Sequence, residues 1–154
     1  TGTPAVVEEM PGYSGYYHIA HAIPDPEPRV TLLIPTRDRV DLLRQCVDSI
    51  LERTSYGNYE IVILDNGSVE PATLTYFQAL RGNPDVRVLT YDAPFNYSKI
   101  NNFGVQHSRG EIIGLVNNDI EVISPHWLTE MVSHAIRPEI GVVGAMLYYP
   151  NDTI

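Results

Sequence analysis

The sequence holds one cysteine, Cys46, which excludes an internal disulfide framework and any multi-cysteine zinc site and leaves redox chemistry without its usual partner. Long hydrophobic runs are missing too. None reaches the roughly 18–20 residues of a bilayer span, and the first residues lack the charged start and apolar core of a signal segment. The chain is therefore expected to be soluble and cytoplasmic, either free or peripheral to the inner face of a membrane. Basic charge is scarce, with 10 lysines and arginines against 19 acidic residues and a net charge of −9. That excludes an extended nucleic-acid surface, which needs clustered cations to displace counterions. An anionic ligand would need a local site or a metal. Phosphate-cradling glycine loops are absent as well: no G-x-G-x-x-G follows a strand-like run, and no G-x-x-x-x-G-K-[ST] occurs.

What is present suffices for one core: 154 residues, 44% of them hydrophobic, point to a single domain. Residues 1–29 are rich in Pro, Gly and Tyr and end in Pro24, Pro26 and Pro28. They read as an extended leading segment or linker, with the tyrosines packing it onto the domain. From Val30 the pattern changes. Apolar or β-branched runs at 30–35, 60–65, 86–91, 111–117 and 141–147 lack polar alternation, as strands buried on both faces do. Between them lie helical segments. In residues 40–54, Leu43, Cys46, Val47, Ile50 and Leu51 form one stripe, so Cys46 reads as core. A helix over 71–82 has Pro71 in its first turn and Gly82 past its end; others cover 97–110 and 124–136, the last capped by Ser124 with Pro125 following. Strand and helix alternate, which predicts an α/β fold with a doubly wound, mostly parallel sheet. Ligands of such sheets sit beyond the carboxyl ends of the strands.

Polar residues recur at those ends. The first strand runs into Thr36-Arg37-Asp38, the second into Asp65-Asn66-Gly67-Ser68, and the fourth into Asn117-Asn118-Asp119. Each stretch alone reads as a turn or cap, but independent turns have no reason to gather carboxylates at one rim. A carboxylate there can hold a divalent cation that bridges to a diphosphate and offsets the charge an acidic protein would repel. Asp119 is the candidate ligand.

In order, "VTLLIPTRDR", "EIVILDNGS" and "NNFGVQHSRGEIIGLVNNDIEV" resemble the nucleotide-binding half of the family 2 glycosyltransferases, over Val30 to about Tyr149. The resemblance implies the GT-A fold, of which this chain would be the N-terminal portion: residues 1–29 as linker and 30–154 as the nucleotide-sugar-binding half. It implies that Thr36, Arg37 and Asp38 line the nucleoside pocket and that Asp65 hydrogen-bonds the base. Asn117 and Asp119 match the first and last positions of the D-x-D motif, with Asn118 between them. Asp119 would bind Mg²⁺ or Mn²⁺, while Asn117 departs from the motif and removes one carboxylate. The N-N-D form resembles the branch that builds bacterial surface polysaccharides, including rhamnosyl transferases.

Other residues keep two readings at this stage. Lys99 could reach a diphosphate or be solvated, and Asn102 and Gly104 could border the nucleotide or let a helix pack closely. His107, His126 and His134 share no metal-ligand spacing, and Trp127 reads as core. Inverting transfer also needs a carboxylate base, which in the resembling family lies well after D-x-D and is expected beyond Ile154. The expectation is thus a piece of a glycosyltransferase that takes a UDP- or dTDP-sugar donor and a glycan or lipid-linked glycan acceptor, inactive by itself. The rival is a noncatalytic nucleotide-binding or interaction module of the same fold. A nucleotidyltransferase is disfavoured, because "PTRDRVD" has no glycine-rich basic loop.

Overall fold

The structure is a computed structural model that describes residues 4–149 and Thr153. Its elements are β1 (Ala5–Glu9), β2 (Tyr17–His21), β3 (Val30–Thr36), α1 (Val40–Arg53), β4 (Tyr59–Asp65), α2 (Pro71–Leu80), β5 (Val86–Thr90), α3 (Tyr97–Gln106), β6 (Ile112–Leu115) and α4 (Trp127–Ala135). Four strands form a parallel sheet in the order β5-β4-β3-β6. The chain lays down β3, β4 and β5 toward one edge and then crosses back to place β6 on the other side of β3. The order therefore reverses between β3 and β6, and that is where a doubly wound sheet opens a crevice.

The apolar runs explain the layers. Successive residues of β3 face opposite ways, so Leu32 and Ile34 join a large core with Leu43, Ile50, Phe77 and Leu128, while Leu33 joins Val62, Leu64 and Ile100 on the other face. Helices α1, α2 and α4 thus cover one face and α3 the other. Gly104 resolves in favour of packing. A Cβ there would stand 2.8 Å from Leu64 and 2.9 Å from Leu33, so α3 lies directly on the sheet, while Asn102 is exposed.

At the amino ends of the strands, Glu60 is only 1% exposed and joins four segments. It accepts from the Thr31 hydroxyl (2.8 Å), the Arg87 guanidinium (3.0 and 3.1 Å) and the Arg109 N–H (2.9 Å). Gly110 N–H donates to the same Thr31 hydroxyl at 2.8 Å. Burial alone would raise the Glu60 carboxyl, but these donors outweigh it and hold it below the usual carboxylate range.

Three expectations need correction. Residues 5–21 form an antiparallel hairpin, not a uniformly extended linker. Histidines hold it to α4, through His18 to Glu130 at 2.8 Å and the His21 ring against the His134 ring at 5.5 Å, while Tyr13, Tyr16 and Tyr17 are exposed. Residues 141–147 are not a strand: no strand among the described residues lies beside them, and Val142, Met146 and Leu147 stay exposed. Finally, α4 starts at Trp127 and not at Ser124, whose carbonyl instead accepts the Trp127 N–H at 3.2 Å. Among the described residues no helix is long and apolar enough to cross a membrane.

Candidate functional site

The site begins with a mismatch in strand length. Pairing of β3 with β4 runs to Thr36 and Asp65, whereas pairing of β3 with β6 stops at Leu33 and Leu115. One further bond, from Val116 N–H to the Leu33 carbonyl at 2.9 Å, closes the ladder. Beyond it β3 continues alone on that side, and residues 116–119 peel away. A cleft of about 250 Å³ occupies the gap. Pro35, Thr36 and Arg37 form one wall, Asn117 and Asn118 another, and Phe95 and Tyr97 the third. Asn118 bridges the gap at its base, its amide donating to the Thr36 hydroxyl at 3.1 Å.

A smaller cleft of about 140 Å³ adjoins it, lined by Asn66, Gly67 and the 91–94 segment. Arg37 and Phe95 line both and so form the partition. Both volumes fall below the ~300–1,000 Å³ typical of sites that engulf a whole ligand, so each suits one part of a larger molecule. Phe95 is 66% exposed, so its ring face is open for a planar ligand to stack on. Arg37 is exposed and has no carboxylate partner among the described residues. It is a cation free to meet an anion.

The expected site residues divide by position. Thr36, Arg37, Asn117 and Asn118 line the larger cleft. Asp38 does not: its carboxylate accepts from Val69 and Glu70 N–H at 2.8 Å each, and its own N–H donates to Ser68 Oγ at 2.8 Å. It laces the loop after β3 to the loop after β4, from a backbone at φ 53° that aspartate tolerates better than most residues. Asp65 pairs with Thr36 in register and is 7% exposed. Its carboxylate accepts from Ser68 N–H at 2.9 Å and so closes the turn that follows the strand. Beside it, Asn66 spends its amide on the Tyr91 and Ala93 carbonyls at 3.0 and 2.8 Å, which fixes the far wall of the smaller cleft.

Asp119 is exposed on the turn that follows Asn117. Glu121, two residues on, is occupied by Arg53 at 2.8 Å and Gln45 at 2.7 Å. Cys46 lies beneath the turn, and burial pushes its thiol up to about 12, with the Asp119 charge adding to the rise and the Ile120 N–H opposing it. It stays protonated and is no thiolate ligand. No group of three or more His, Cys, Asp or Glu among the described residues could hold a metal ion. One carboxylate with flanking amides nonetheless fits a hard cation that takes most of its oxygens from a bound diphosphate and water.

Phe95, Tyr97 and Asn66 were missed as site residues in the sequence. The exposed aromatics of "PFNYS" just before α3 were the available signal. Lys99 lines neither cleft; its N–H is held by the Asn96 side chain at 3.0 Å, which caps α3. The histidines are satisfied: His107 meets the Phe103 carbonyl at 2.8 Å and His126 meets Ser55 at 2.9 Å.

A family model described as Glycosyl transferase family 2 matches residues 31–154. The chain is 56% identical over 128 residues to the uncharacterized protein y4gI of Sinorhizobium fredii (strain NBRC 101917 / NGR234), over 82% of this chain and 14% of that protein. It is 42% identical over 127 residues to the O-antigen biosynthesis protein RfbC of Myxococcus xanthus, over 82% of this chain and 10% of that protein. The chain therefore spans a small part of the length of these relatives. Among solved structures, mannosyltransferase PcManGT from Pyrobaculum calidifontis, in complex with GDP-Man and Mn²⁺, matches with a TM-score of 0.71 over 98% of this chain and 41% of that one. At 21% identity that likeness establishes a shared fold.

Proposed function

The chain belongs to glycosyl transferase family 2 and has the GT-A fold, and on that premise we propose that residues 30–154 form the donor-binding half of a metal-dependent glycosyltransferase. The donor is a nucleotide-diphosphate sugar, UDP- or dTDP-linked. The acceptor is a glycan or lipid-linked glycan of the bacterial cell surface, a class suggested by the name of the Myxococcus relative. The reaction belongs to the cytoplasm, at or near the inner face of the membrane.

The observation that carries this reading is the cleft at the switch point, where Thr36 and Arg37 face Asn117 and Asn118 with Asp119 on the adjoining turn. Thr36, Asn117 and Asn118 offer neutral hydrogen-bonding groups suited to ribose hydroxyls. Arg37 supplies the positive charge that a diphosphate requires from an acidic protein. Asp65 reads the base from the neighbouring strand end, and Asp38 holds the wall in shape. Asp119 would hold Mg²⁺ or Mn²⁺, which would stabilise the nucleoside diphosphate as it leaves.

That no carboxylate lines the larger cleft supports placing the base that takes the acceptor proton elsewhere. The 154-residue chain by itself binds donor and does not transfer the sugar. Calorimetry with UDP, dTDP and GDP, each with Mn²⁺ and with chelator, tests the reading. Metal-enhanced binding of a pyrimidine diphosphate is the expected result. Failure of all three to bind at millimolar concentration would overturn it and leave a noncatalytic interaction module.

A further inference from the structure

The segment that carries Asp119 has no regular secondary structure of its own, yet its backbone is fixed at three points by side chains of a single helix. Cys46 Sγ donates to the Asn117 carbonyl at 3.4 Å. That bond holds the residue that leads into the Asn118-Asp119 turn. Ser49 Oγ accepts the Val122 N–H at 3.1 Å and donates to the Cys46 carbonyl at 2.9 Å. Arg53 reaches the Val122 carbonyl at 2.6 Å and pairs with Glu121. Cys46, Ser49 and Arg53 lie at i, i+3 and i+7, one stripe of α1. Cys46 and Ser49 are buried.

We propose that Cys46 and Ser49 are positioning residues that fix the turn bearing Asp119, so that α1 sets where the metal ligand stands. The inference rests on the donor-site reading above. A cysteine serving only to fill the core would need no partner on the loop, and a buried serine in a helix is satisfied by its own helix carbonyl. Here both polar atoms serve the backbone of residues 117–122 as well. Asp119 projects from a turn with no strand neighbour, and apart from the Asn118 amide on Thr36 its place rests on these bonds. Holding a ligand ready before the cation arrives removes an ordering cost from binding.

The test uses the 154-residue chain as Cys46→Ala, Cys46→Ser and Ser49→Ala, with two readouts. The first is the ratio of UDP affinity with Mn²⁺ to that with chelator. It should fall about 3- to 10-fold in Cys46→Ala and Ser49→Ala, with chelator-phase affinity held within about 2-fold, and Cys46→Ser should recover part of the loss. The second is amide hydrogen exchange without nucleotide, in which Val122 should exchange faster while Leu33 and Ile63 in the sheet keep their protection. Unchanged exchange at Val122 together with an unchanged metal ratio would overturn the positioning role and leave both residues as core. A wild-type chain whose UDP affinity ignores Mn²⁺ would overturn the donor-site reading, and the positioning of a metal ligand with it.

Discussion

Asn118 and Thr36 meet through a 3.1 Å hydrogen bond across a gap where β6 has already ended and β3 still runs. It ties a loop with no ladder of its own to the last residue of the central strand. The bond sits at the floor of the larger cleft, so it sets the spacing between the walls that a ligand would bridge.

Thr36→Val should remove that bond while keeping the β-branched shape that the strand prefers. A neutral hydrogen bond contributes about 0.5–1.5 kcal/mol, so the melting temperature should move little. Affinity for UDP should fall about 3- to 10-fold with or without metal, measured by calorimetry.

Asp119→Ala should abolish the metal-dependent part of nucleotide-diphosphate affinity and leave the chelator-phase binding in place. A bond to a charged group is worth roughly 1.5–3 kcal/mol, so the loss should be about 10- to 150-fold. Asn117→Asp should act in reverse, since a second carboxylate at this rim strengthens a hard cation site. Equal Mn²⁺ dependence in wild type and both variants would reduce the N-N-D stretch to an ordinary turn.

Asp65→Ala should weaken binding in metal and in chelator alike and narrow any preference for uracil or thymine over purines. Its carboxylate also caps the turn through Ser68 N–H, so a loss of about 1 kcal/mol in stability should accompany it. Competition between UDP and ADP on the folded variant separates the two effects.

Phe95→Ala should affect both clefts together, because the ring forms part of the wall between them. Stacking of a base on an aromatic ring is worth about 1–3 kcal/mol. A loss of about 5- to 100-fold in UDP affinity is expected, with Phe95→Trp retaining most of it. As the ring is largely exposed, stability should be unchanged.

The Glu60 network should make the fold sensitive to acid. Its folded carboxyl titrates below the ordinary value of 4.5, so the stability it contributes is fully present above that pH and is lost as pH falls through the lower folded value. Glu60→Gln should cost about 2–3 kcal/mol at neutral pH, less than the roughly 3–5 kcal/mol of a fully enclosed pair because Arg87 keeps some solvent contact. The difference between urea melts at pH 7 and pH 3 should narrow in the variant, with the remainder coming from the other carboxylates, Glu121 and Glu139 among them.

The parallel sheet was legible because its strands are continuous apolar runs, a pattern that buried strands require and helices of that length do not share. The larger cleft was partly legible for the same reason, since Thr36, Arg37, Asn117 and Asn118 follow those runs directly. Asp38 looked equally suited to a ligand, but its Oδ1 accepts from the backbone of residues 69–70, a long-range contact that no local pattern records. Phe95 was missed because it follows a strand by five residues and reaches the cleft only through the path of its loop. The hairpin at residues 5–21 was hidden by Pro11, its glycines and its tyrosines, and its anchor to α4 depends on histidines more than a hundred residues apart from their partners. The apolar stretch at 141–147 has the composition of a strand, but a strand exists only with a neighbour to pair with.

Pro35 gives the crevice a built-in stop. Thr36 and Leu33 turn their carbonyls to opposite neighbours, the one to Asn66 on the β4 side and the other to Val116 on the β6 side. By alternation Pro35 faces the β6 side, at the position where the next rung would form. A pyrrolidine ring stands there in place of an N–H. Any segment that slid up alongside β3 would meet a rung with no donor, so the groove cannot zip shut on itself, and its depth is set by a missing hydrogen atom as much as by the residues that line it.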